Sequence, residues 1–176
     1  MPPESASDPV SNLRSEAKDT LQFVGFQIED QLYAFPIERI QEIVILEQIT
    51  ATPQVGPHVD GVSNLRGEII PIISLRSLLG MPSRPLDSET RTIVVNVGTR
   101  TIGCTVDAVT QVIRVPRDHI QEAPEALTGG STHDIAGFAK LEDRVLILLN
   151  VDQLLGPDRL IHGSQGDDST ARLLPP

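Results

Sequence analysis

The sequence has no tryptophan, one tyrosine, four phenylalanines and a single cysteine in 176 residues. Aromatics make up 3% of the chain against 39% hydrophobic residues overall, so a core must be built mainly from Ile, Val and Leu. β-branched side chains pack well on a pleated surface, and this composition therefore favours strands. One cysteine, Cys104, excludes an internal disulfide and a cysteine-based metal cage, and fits a reducing compartment. Basic residues are also scarce, 14 against 24 acidic ones, for a net charge of -10 at pH 7. A phosphate backbone would repel such a chain, which argues against nucleic-acid binding. No run approaches the ~18 apolar residues of a membrane span. The opening stretch "MPPESASDPVSNLRSEAKDT" lacks the apolar core of a signal peptide. The expectation is a soluble, cytoplasmic protein of one ordinary domain or two small ones.

Catalytic signatures are equally thin. His58, His119, His133 and His162 are scattered without metal-ligand spacing. The sequence contains neither GxxxxGK[ST] nor GxGxxG, so no phosphate cradle is indicated. "GGSTHD" puts Ser131, His133 and Asp134 in one loop, but loop neighbours are not a triad, whose members must converge with defined geometry. Cys104 sits in the apolar pattern "TIGCTV" and reads as a buried, inert thiol. No catalytic residue, metal or cofactor is expected.

What is present is period-two patterning. "FVGFQI", "TIVVNVG" and "TIGCTV" alternate, with "EDQ" and "GTR" at turn positions between strand pairs. "EIIPIISL" and "RVLILLNV" are continuous apolar runs of strand length, and Pro71 should mark an edge, a bulge or a strand switch. "PIERIQEIV" predicts a short helix opening at Pro36, with Ile37, Ile40 and Val44 on one face. Gly80 and Gly156 close two further short helices, "LRSLLG" and "VDQLLG".

The chain also repeats itself. A shift of 69 residues lays "VGFQIEDQLYAFPIERIQEIV" over "IVVNVGTRTIGCTVDAVTQVI", so Phe35 meets Cys104. A shift of 76 lays "GVSNLRGEIIPIISLRSLLG" over "GFAKLEDRVLILLNVDQLLG", so Gly61, Leu65 and Gly80 meet identical residues. The fold expected is mainly β: two similar five-stranded β-barrel subdomains with a few short helices, since closure removes edge strands. The units span about 21–80 and 92–156, with exchange of strands between them left open. Residues 1–20 and 157–176 read as flexible tails.

The repeat supplies an internal control. A position of the same character in both halves serves the fold; one that differs is free for function. Arg66 meets Glu142, so the hairpin tip does not demand an arginine. It reads either as a solvated turn residue paired with Glu68 or Glu42, or as an anchor for a partner, a role for which the planar five-donor guanidinium is well suited. Asn64, two residues earlier, should project from the same side. Glu42 meets Gln111 and is likewise not required by the fold. Glu38 and Asp107 are acidic in both halves and read as structural charges early in a helix.

"GVSNLRGEIIPIISLR" resembles the hallmark segment of the chemotaxis coupling proteins, the CheW-like domain. "FVGFQIEDQLYAFPIERIQEIV", "VDAVTQVIRVP" and "GFAKLEDRVLILLNVDQLL" agree in order, and the resemblance covers about 21–156. Ser74 departs from it, because the family often has Asp in "DLR", which puts a cap contact in question. The resemblance implies two small β-barrels and a non-catalytic adaptor. Such adaptors join the cytoplasmic tips of chemoreceptors to the regulatory domain of the histidine kinase CheA, in arrays at the inner membrane face. It carries receptor contacts onto Ile40, Glu42, Gly61 and Arg66, with Asn64 added from its place beside Arg66, and kinase contacts onto Gly67 and Glu68. Arrays serving pilus motility or phototaxis use similar adaptors. A small β-barrel enzyme or ligand-binding domain built on "GGSTHD" is the rival from another class, and a regulatory piece of a larger kinase a further one.

Overall fold

Four hairpins turn on two residues each. They join β1 (Thr20–Ile28) to β2 (Gln31–Pro36), β4 (Val59–Leu65) to β5 (Glu68–Ser74), β6 (Arg91–Val97) to β7 (Arg100–Val106), and β10 (Ile135–Leu141) to β11 (Arg144–Leu149). The first residue of every turn is left-handed: Glu29 at φ 56°, Arg66 at 54°, Gly98 at 63° and Glu142 at 44°. That conformation matches the right-handed twist of the flanking strands. The remaining strands are β3 (Ile40–Val44), β8 (Ala108–Pro116) and β9 (Ile120–Gln121). Among the described residues, two four-residue helices, α1 (Leu75–Leu78) and α2 (Val151–Leu154), follow β5 and β11. The structure, a computed structural model, describes residues 19–46, 48–53, 56–124, 134–157 and 160. Ser131, His133, His162 and nearly all of both expected tails lie outside the described residues.

The strands form two sheets of the same plan. One runs β8-β1-β2-β11-β10-β9 and the other β3-β6-β7-β5-β4. Neighbours are antiparallel except β2 with β11 and β5 with β7, which are parallel. Strands are exchanged between the sequence repeats: the hairpin β1–β2 pairs with strands of the second unit, and β6–β7 with strands of the first. The five-stranded sheet is therefore continuous in sequence, from Ile40 to Val106, and the six-stranded sheet is assembled from the two ends of the chain. The sixth strand, β9, has only two residues. In the other sheet its place is taken by Thr50, which forms an isolated bridge to Val62.

Both sheets curl. Pro116 of β8 pairs with Thr20, and Ile120 of β9 pairs with Ala139, at opposite ends of the strand order. The four-residue step between them spans at most ~14 Å, whereas five flat inter-strand spacings would separate them by ~24 Å. In the five-stranded sheet, β3 and β4 are the outer strands, and the chain between them is stitched onto β4 by Thr50 N to Val62 O (2.8 Å) and Val62 N to Thr50 O (2.9 Å).

The largest core lies between the sheets. Phe26, Tyr33 and Phe35 from one meet Ile73, Ile93 and Cys104 from the other. Each sheet also has a smaller interior, around Ala34 and Leu146 in one and Ile70 and Val94 in the other. Strand β1 thus has both faces covered: Phe23 belongs to a barrel interior and Phe26 to the shared core. Cys104 is fully buried, and burial pushes its thiol up, so it stays protonated.

Two expectations are corrected. "PIERIQEIV" is not a helix: a single 3-10 turn, Ile37–Arg39, leads into β3. Ile37, Ile40 and Val44 fit a helical stripe, but Ile40, Glu42 and Val44 also alternate with the exposed Gln41 and Ile43, and pairing with β6 decides for the strand. Asp107 is not in a helix either, lying in the one-residue break between β7 and β8. Ser74, by contrast, keeps the cap contact. Its hydroxyl accepts from Ser77 N at 3.2 Å, as Asn150 does from Gln153 N at α2. Ser74→Ala should therefore cost about 1 kcal/mol, read as a shift in the denaturation midpoint.

Candidate partner-binding seam

The two outer strands of the five-stranded sheet, β3 and β4, are bridged by an ion pair across a seam in which the Thr50 segment lies against β4. Arg66 Nη2 lies 2.9 Å from Glu42 Oε1. The Glu42 side chain is 16% exposed and the Arg66 side chain 77%, so the carboxylate is tucked into the seam and the arginine stands out from it. Of the two partners open to Arg66 in the sequence, the structure has Glu42. An exposed pair of this kind is worth under about 1 kcal/mol.

The turn holds Arg66 in a backbone state that disfavours it. At φ 54° a side chain with a Cβ is strained, and Asn or Gly is the usual occupant. Gly67 follows at φ 87°. Asn64 Oδ1 accepts from Gly67 N at 2.8 Å and closes the turn. Asn64 thus positions Arg66 from within its own hairpin, a more specific role than projecting beside it.

Glu42 on β3 and Asn64 and Arg66 at the end of β4 and its turn come together at the seam, whereas Ile40, at the start of β3, packs against the core between the sheets. Gly61 behaves differently. It is buried at φ 152°, and a Cβ there would lie 2.1 Å from Thr50 O and 2.7 Å from Thr50 C. Its work is to let the chain beyond β3 lie against β4, which closes the seam; it presents no side chain to a partner. Gly67 and Glu68 are exposed in the same hairpin as Arg66, so the two expected contact sets adjoin on one edge.

Two residues were missed from sequence. Ile43 is 39% exposed beside Glu42, and Ile69 is 61% exposed opposite Asn64. Their repeat counterparts, Val112 and Val145, are exposed as well, at 54% and 50%. The signal was available: the β-branched pairs Ile43–Val44 and Ile69–Ile70 put an apolar residue on both faces of a strand with only one face to bury.

Beside the seam, Arg39 ties the sheets together. Its guanidinium reaches Asp152 Oδ2 at 3.0 Å and Oδ1 at 2.5 Å, and donates to Asn96 O at 3.0 Å. The hydrogen bond from Arg39 holds the Asp152 carboxyl below the ordinary carboxylate range. A carboxyl lowered on folding stabilises above its unfolded pKa, and that contribution disappears as the pH falls through the lower, folded value. Asp152→Asn should therefore melt earlier than the parent at neutral pH, with the gap closing below about pH 4. A gap that stays constant down to low pH would show that the charge is not what Asp152 contributes.

Among the described residues, no group of three His, Cys, Asp or Glu is arranged to hold a metal. No helix there is long and apolar enough to cross a membrane. Of the loop neighbours Ser131, His133 and Asp134, which the sequence argues against as a triad, Asp134 alone is among the described residues.

Fold and site together define a duplicated, two-sheet β domain with a charged, apolar-flanked seam. Residues 22–158 match the family profile of the CheW-like domain. The chain is 35% identical over 145 residues to the chemotaxis protein CheW of Helicobacter pylori, covering 82% of this chain and 87% of that one. It is also similar to the crystal structure of the scaffolding protein TtCheW from Thermoanaerobacter tengcongensis, with a TM-score of 0.71 and 31% identity over 77% of this chain and 92% of that one. A more distant likeness, 29% identity over 109 residues, is to Protein PilI of Pseudomonas aeruginosa, covering 62% of this chain and 61% of that one. The chain belongs to the CheW-like domain family.

Proposed function

We propose that this protein is a non-catalytic adaptor of a chemosensory array, joining the cytoplasmic tip of a chemoreceptor to the regulatory domain of the histidine kinase CheA. The observation that carries this reading is Arg66: a mostly exposed guanidinium in a strained turn, secured by Asn64 and Glu42 and set among exposed isoleucines. A helix laid in a groove is read by apolar anchors with a few charges, and the seam offers both. Glu42, Ile43, Arg66 and Ile69 would face the receptor, with Ile40, Asn64 and Gly61 supporting from behind. Gly67 and Glu68 would contribute to the kinase contact. The absence of a long apolar helix among the described residues agrees with attachment to the array from the cytoplasm through its partners.

The test is co-sedimentation of the kinase with receptor-bearing membranes, with and without this protein, together with kinase autophosphorylation. Recovery of kinase in the pellet and a change in its activity would support the reading. Folded protein that changes neither would overturn it for that receptor–kinase pair. The likeness to Protein PilI favours a second reading, an adaptor of a pilus-motility array. Substituting that array's receptor and kinase in the same assay separates the two.

A further inference from the structure

The chain passes between the sheets twice, and each crossing is held by an arginine–carboxylate cluster. At Pro36–Ile40 the cluster is Arg39 with Asp152. At the second crossing Asp107 occupies the single residue between β7 and β8. Its Oδ2 accepts three donors: Glu29 N at 2.9 Å, Arg76 Nη1 at 2.6 Å and Arg84 Nη1 at 3.2 Å.

These donors come from three separate parts of the fold. Glu29 is in the β1–β2 turn of the six-stranded sheet. Arg76 is in α1, behind the five-stranded sheet, and is 7% exposed. Arg84 belongs to the exposed, irregular segment 82–89 that links the two sequence repeats. Further contacts bind the same parts to one another. Arg76 pairs with the Glu29 carboxylate and donates from Nε to Pro82 O at 2.8 Å; Arg84 also pairs with Asp87 at 2.8 Å. Asp107 N donates to Gln27 O at 3.1 Å. A nearly buried arginine is held in place only while its carboxylates remain, and Asp107 is the acceptor that all three parts share.

We propose that Asp107 is a positioning residue: an ionic latch that fixes the angle between the two sheets at the second crossing and straps the inter-repeat segment 82–89 over it. With both crossings closed, the sheets move as one body. With Asp107 neutralised, the β1–β2 turn and segment 82–89 loosen at the second crossing, while the shared core keeps the sheets in contact. In an adaptor this rigidity carries a change at the receptor face through to the kinase; this last step rests on the adaptor reading, while the latch itself does not.

The test is hydrogen exchange on the intact protein and on Asp107→Asn and Asp107→Glu. In Asp107→Asn, amides at 28–31 and 82–90 should exchange at least tenfold faster, while Val94 and Val95 in β6 keep their protection. Asp107→Glu, which retains the charge, should recover most of the slow exchange. Uniform loss of protection, or no local change, would overturn the latch. Should Asp107→Asn fold poorly, Arg84→Gln cuts the strap tether alone and should speed exchange at 82–90 but not at 28–31; no change at 82–90 would overturn the strap. In the array assay, Asp107→Asn should recruit kinase within twofold of the parent yet lose at least fivefold of the receptor-controlled change in its activity. Full retention of control would overturn the claim that the latch carries the signal. Failure of the parent to recruit kinase would count against the adaptor reading and leave the exchange results standing.

Discussion

Gly61→Ala will unfold or severely destabilise the protein. The new Cβ would lie 2.1 Å from Thr50 O, 2.7 Å from Thr50 C and 3.0 Å from Ala51 Cα, all backbone atoms of the segment stitched onto β4. A rotamer change cannot relieve a clash with backbone, and the φ of 152° is poor for alanine as well. The mutant must give up the Thr50–Val62 bridge or distort β4, at a cost expected above about 3 kcal/mol. Two other glycines calibrate the claim. Gly137 is the repeat counterpart, and its Cβ would meet Gln121 O at 2.7 Å, a milder overlap. Gly67 has open space around it and only its φ of 87° to set against alanine, worth roughly 1–2 kcal/mol. Chemical denaturation of the three alanine variants should rank the losses Gly61, Gly137, Gly67. A Gly61→Ala protein as stable as the parent would show that the seam does not depend on that close approach.

Arg66→Glu should have the opposite profile. The side chain is mostly exposed, and its loss removes one surface ion pair and sets a second carboxylate beside Glu42. Stability should fall by about 1 kcal/mol or less, while binding to receptor membranes should drop at least tenfold. Sedimentation of the variant with those membranes, beside a melting curve, checks both halves. A variant that melts far below the parent would assign Arg66 to the fold instead.

The strand-rich duplication was legible because it rests on local chemistry. Period-two alternation, two-residue turns and glycine helix stops are written into short windows, and the matching segments of the two repeats take matching places in the two sheets. The pattern around Ile40 misled because five residues satisfy a period of 2 and a period of 3.6 about equally; the partner strand β6, distant in sequence, decides between them. The repeat marks Asp107 as a structural charge, but its partners are hidden for the same reason. Its donors come from Glu29, Arg76 and Arg84, and nothing in the neighbouring sequence announces them.

Gly61 teaches something different. It meets an identical glycine across the repeat, so the internal control assigned it to the fold, while family resemblance assigned it to a partner contact. Its packing beneath Thr50 agrees with the control. Arg66 and Glu42 differ from their counterparts Glu142 and Gln111 and are the pair that bridges the seam. Sequence alone leaves Glu68 and Glu42 both open as partners of Arg66; the curl of the sheet, which brings the ends of its outer strands within reach of each other, decides for Glu42.

The central claim is that Arg66 is placed for a partner, and that Glu42 holds it there. The most direct measurement is receptor-membrane binding by the exchanged pair, Glu42→Arg with Arg66→Glu, beside Arg66→Glu alone. The exchange restores an ion pair across the seam but removes the exposed guanidinium from the turn. The account predicts that thermal stability returns to near the parent value while binding stays at least tenfold down. Recovery of both together would contradict it, and would leave Arg66 as no more than the counter-ion of Glu42.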